Sequence, residues 1–204
     1  MRRRAFIAML VAVASARGFG ARAEKSDRPR LCFLTFDPGT AQSNRFKSFF
    51  QGLRDLGYVD GQTITIDYLS AGSGQAVGFP ALATECLRLK ADIIAVSTTP
   101  AAVAAKNATR TIPIIMIAVG DPVGTGLVDS LAQPGGNVTG MSLMVSELAA
   151  KRLHLLTEAV PGISRVLVLA YLDDPIAPLQ VKALKDAARS LSVSRRFGNL
   201  ANTS

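Results

Sequence analysis

The chain has 204 residues, a formal net charge of +8, two cysteines and one histidine. Arg2, Arg3, Arg4, Arg17 and Arg22 carry five of the eight net positive charges, leaving +3 beyond the first 23 residues. Scattered Lys and Arg at that level exclude the clustered basic face that nucleic acid requires. The Cys and His residues have no metal-ligand spacing, and no nucleophile elbow, Walker loop or dinucleotide fingerprint follows the first strand, so a catalytic reading has no residues to stand on.

The chain opens on Arg2-Arg3-Arg4, an apolar run over residues 5–14 and then Ala21-Arg22-Ala23. That is a positive n-region, an h-region and an A-x-A cleavage site, and the run is well short of the roughly 20 residues a membrane-spanning helix needs. Residues 1–23 are therefore expected to be a cleavable export signal, with the mature chain starting near Glu24. Arg3-Arg4-Ala5-Phe6-Ile7 also fits a twin-arginine pattern, and the choice between that route and ordinary secretion stays open.

From residue 30 onward, β-branched runs alternate with helical patterns, which argues for a parallel sheet flanked by helices. The first strand is expected over residues 31–36, followed by the turn Asp37-Pro38-Gly39-Thr40. Phe46, Phe49, Phe50, Leu53 and Leu56 then recur at helical spacing up to Gly57. Residues 63–69 (TITIDYL) alternate as a strand, and a Gly-rich loop precedes a helix over residues 79–89. A strand over 92–96 runs into Ser97-Thr98-Thr99-Pro100, where Thr99 is expected to cap an Ala-rich helix over 101–108.

A fourth strand is expected over 113–119 and ends in Gly120-Asp121-Pro122, followed by a short helix over 126–131 and a strand over 138–141. An amphipathic helix over 145–160, a buried strand over 165–170 (RVLVLA) and a helix over 176–191 begin a second α/β unit. Residues 194–204 read as a polar tail. Cys32 falls in a strand and Cys86 in a helix. They are expected to be buried unpaired thiols, able to join only if their α-carbons come within about 7 Å.

In open parallel sheets, ligands sit beyond the C-terminal strand ends. The candidate ligand-binding residues are accordingly Asp37 and Thr40 after the first strand, Thr98 and Thr99 after the third, and Asp121 after the fourth. Threonine hydroxyls and the N–H groups of a helix start suit a carboxylate, and Asp121 suits an ammonium, so the set describes a site for a zwitterion such as an amino acid. Phe36 and Tyr68 either stack on such a ligand or fill the core.

The Arg-rich start MRRRAFI and the stretches FFQGLRDLGYVDGQTITIDY, STTPAAVAAKNATRTIPIIM, GDPVGTGLVDSLAQPGGNVTG and AAKRLHLLTEAVPGISRVLVL resemble the ABC transporter substrate-binding proteins of tryptophan and tyrosine type. The resemblance implies a periplasmic-binding-protein type I α/β fold with two hinged lobes, an amino-acid-like ligand clamped in the cleft and an ABC permease as membrane partner. It implies no cofactor and no enzymatic activity. Residues 24–144 would form the first lobe, and 145–204 the hinge-side helix and an incomplete second lobe. The final SRRFGNLANTS departs from the family pattern, which leaves a truncated, weakly binding or non-binding remnant as the alternative. An exported α/β enzyme is the more distant one.

Overall fold

The computed structural model describes residues 28–36, 39, 44, 46–72, 78–191 and 194–199. The export signal, the start near Glu24, Asp37 and Thr40 lie outside the described residues.

The chain runs β1 (Arg30–Thr35), α1 (Lys47–Asp55), β2 (Thr65–Ser70), α2 (Phe79–Arg88), β3 (Ile93–Val96), α3 (Thr99–Ala108), β4 (Ile114–Val119) and β5 (Val138–Ser142). These five strands form one parallel sheet in the order β2-β1-β3-β4-β5. β1 is apolar on both sides because both faces are covered. Cys32 and Leu34 join Phe79, Ala83 and Cys86 of α2, while Leu31 and Phe33 join Phe46, Phe50 and Ile64 on the opposite face. In α3, Ala101, Ala102, Ala104 and Ala105 are all buried, and their small side chains let the helix lie close to both the sheet and α2.

The expected helix over 126–131 is absent. Asp121 and Pro122 start a turn instead: the Thr125 N–H donates to the Asp121 carbonyl (3.0 Å) and the Leu127 N–H to the Pro122 carbonyl (2.7 Å). Gly126 then takes a positive φ of 70°, which stops the turn from propagating as a helix.

α4 (Val145–Ala159), β6 (Arg165–Ala170), α5 (Ala177–Ser190) and β7 (Ser194–Asn199) form a second unit, with α4 packed on α5 and β6 parallel to β7. Two sequence expectations fail here. β6 is not buried: Leu167 and Leu169 are 61% and 60% exposed, alternating with half-buried Val166 and Val168, so one face of the strand is covered and the other is open. The expected polar tail contains a strand, β7, paired along its whole length with β6 from Arg165↔Ser194 to Ala170↔Asn199. Ladder bonds are made by the main chain, so a polar sequence is no barrier at a sheet edge. Among the described residues no helix is long and apolar enough to cross a membrane.

Candidate functional site

After β1 the chain builds outward to β2, then returns to the other side of β1 to lay down β3, so the topological switch point falls between β1 and β3. Leu34 and Val96 are register partners there, and in open parallel sheets ligands sit beyond the C-terminal ends of such a strand pair. Thr98 and Thr99 follow β3 at this rim.

The two threonines divide the work differently from the sequence expectation. Thr98, not Thr99, caps α3: it is extended (φ −146°, ψ 157°) and its Oγ1 accepts from the Ala101 N–H at 3.4 Å. Pro100 brings no N–H, so little of the helix start is left for an anion. Thr98 itself is half-buried and, having used an acceptor lone pair, keeps a hydroxyl proton to donate.

Thr99 is buried, at 5% exposure, and its Oγ1 accepts from the Gly120 N–H at 3.2 Å. That bond ties the loop after β3 to the loop after β4. A Thr99→Val variant would keep the shape and leave the buried Gly120 N–H without an acceptor. It should cost about 1–3 kcal/mol in urea unfolding, with Thr99→Ser close to the parent; equal midpoints for Val and Ser would remove the bond from this role.

Asp121 follows at once, in a left-handed conformation (φ 36°). Its Oδ1 accepts from the Gly124 N–H at 2.8 Å and its carbonyl takes the Thr125 amide and hydroxyl, so the carboxylate is held in place by its own loop. It lines a cavity of about 280 Å³ together with Pro122, Leu131, Ser142, Ser146 and Glu147. Thr98 and Thr99 are not among that cavity's described walls.

Ser142, Ser146 and Glu147 were missed from sequence. The signal that finds them is that Ser142 ends β5, the neighbour of β4, and Ser146 and Glu147 follow it at the same rim. Among the described residues no cluster of His, Cys, Asp and Glu suits a metal ion.

The second unit reaches this rim as well. A Cβ on Gly120 would overlap Ile176 Cδ1, just ahead of α5, and stand 2.6 Å from Val145 Cγ2 of α4, and Ile176 is 6% exposed. Phe36 and Tyr68 fill core: Phe36 packs edge-on against Phe79 at 4.8 Å, and Tyr68 lies 5.5 Å from Phe50.

Residues 36–195 match the family model described as ABC transporter substrate binding protein. Over 143 residues the chain is 40% identical to a tyrosine-binding protein of Clostridioides difficile (strain R20291), covering 70% of this chain and 41% of that protein. A conserved domain protein from Vibrio cholerae superposes with a TM-score of 0.75 at 27% identity, over 84% of this chain and 57% of the other. The ABC domain from Streptococcus pneumonia in complex with L-Trp superposes with a TM-score of 0.71 at 26% identity, over 85% and 57%. The chain thus spans about half the length of the relatives it matches.

Proposed function

Because this chain belongs to the ABC transporter substrate-binding protein family, we propose that it is an extracytoplasmic solute-binding component of an importer, taking a small amino-acid-like zwitterion between its two units. Residues 1–23 direct export to the periplasm, 24–144 supply one wall of the cleft, and the unit from 145 onward supplies the facing wall. Delivery is to an ABC permease in the membrane. Binding, not catalysis, is the family's activity.

The observation that carries this reading is the Thr99–Gly120 hydrogen bond, which ties the segment after β3, with Thr98, to the segment after β4, with Asp121. Thr98 donates its hydroxyl proton to the ligand carboxylate. Asp121, with Oδ1 occupied by Gly124, turns Oδ2 to the ammonium. Asp37 and Thr40, which follow β1 in the sequence, belong to the same set of ligand contacts.

The chain has no Trp, so the fluorescence of L-Trp reports its own binding without background from the protein. Titration with L-Trp, and calorimetry with L-Tyr and other amino acids, should detect a ligand. Asp121→Asn keeps an acceptor for Gly124 and loses the charge, and should weaken binding at least about tenfold, near 1.4 kcal/mol. Silence across the whole amino-acid set sinks the binding reading, and an unchanged Kd in Asp121→Asn removes Asp121 from the site.

A further inference from the structure

We propose that Cys32 and Cys86 are a disulfide-forming site, closed while the chain folds, that ties strand β1 to helix α2. Two periodicities bring the sulfurs together. Alternate residues of β1 place Cys32 and Leu34 on one face of the sheet, and Phe79, Ala83 and Cys86, spaced by four and three, form the buried stripe of α2 that lies on that face. Both thiols are free and 0% exposed, and both belong to the one core cluster that β1 and α2 share. In the sequence they enclose roughly 50 residues, including α1 and β2, so a bond between them removes a large loop's freedom from the unfolded chain.

The timing follows from the surroundings. The Cys86 thiol is pushed far up by the neighbouring Cys32 thiol, then by burial, with a further contribution from the carboxylate of Asp67, the register partner of Cys32 across β1 and β2. Thiol–disulfide exchange needs a thiolate, and in the folded core there is almost none. The pair therefore closes before the core does. The two S–H groups become one S–S bond and release two protons and two electrons. A disulfide oxidant, such as oxidised glutathione or the disulfide of an oxidoreductase, takes up both and leaves as two thiols.

The test uses the full chain, reduced and unfolded in guanidinium, then refolded in a mixture of oxidised and reduced glutathione. After renewed unfolding, a maleimide mass tag counts free thiols. Monomer with no tags is expected, rising to two tags after dithiothreitol. The oxidised form should melt on the order of ten degrees above the reduced form, a gap absent in Cys32→Ala. Native reduced protein placed in the same mixture should keep both thiols at least tenfold longer than the refolding chain. Two tags without reductant, glutathione adducts in place of an internal bond, or cross-linked dimers would each overturn the proposal; equally fast oxidation of the native protein would overturn its timing.

Discussion

Phe33→Ala should remove about 3–5 kcal/mol of stability, read as a drop in the urea midpoint followed by far-UV circular dichroism. Phe33 is 0% exposed at the centre of β1, and its ring meets Phe46 and Phe50 at 5.3 Å each, Phe49 at 5.7 Å and Tyr68 at 6.4 Å. Truncation takes away the transfer energy of the ring and leaves a hole bordered by four other rings. Because β1 and α1 are anchored through those same rings, the hole cannot close by moving one side chain. Against a domain stability of about 5–15 kcal/mol, such a loss is a large fraction of the total. Leu56→Ala, at a position 76% exposed just past α1, should stay within about 0.5 kcal/mol. Equal losses at the two positions would mean that the aromatic cluster does not hold α1 to the sheet.

The repeat of strands and helices was legible because its signals are local. Phe46 and Phe50 announce a helix, and Gly57, with φ of 86°, ends it where the sequence says. The sheet order was not legible, since nothing in a strand's own residues tells which neighbour it will take. The switch point between β1 and β3, beside which the threonine segment follows β3, came only with the fold.

Local signals also misled. Residues 126–131 have a helical pattern, but the carbonyls of Asp121 and Pro122 capture the amides of Thr125 and Leu127 first. RVLVLA reads as a strand buried on two faces, yet Leu167 and Leu169 stand open, because an apolar run does not say how many faces will be covered. β7 was invisible because its pairing with β6 is written in main-chain bonds. That Thr98 and Asp121 stand at strand ends was readable from the sequence. The exchange of capping roles between Thr98 and Thr99 was not, since it turns on which of two adjacent hydroxyls reaches Gly120.

Gly140→Ala should cost about 2–5 kcal/mol, out of proportion to one exposed methyl group on an edge strand. Gly140 has a φ of 132°, a conformation that side chains rarely adopt, and it faces Met116 of β4 in register. A Cβ there would overlap the Met116 carbonyl oxygen and stand 2.6 Å from its nitrogen, so the obstacle is backbone and cannot swing aside. Either β5 lifts from β4 or the strain stays in the ladder. Lifting β5 also moves Ser142, and with it the start of α4 that carries Ser146 and Glu147 to the cavity beside Asp121. Gly136→Ala, in the turn just before β5, meets open space and should be near neutral. Hydrogen exchange locates the damage: the Ile114 amide bound to Asn137 and the Leu143 amide bound to Val119 should lose protection, while the β1–β3 amides keep theirs. A Gly140→Ala protein as stable as Gly136→Ala would mean that β5 has room to spare against β4, and the rim that holds Asp121 would then owe nothing to this glycine.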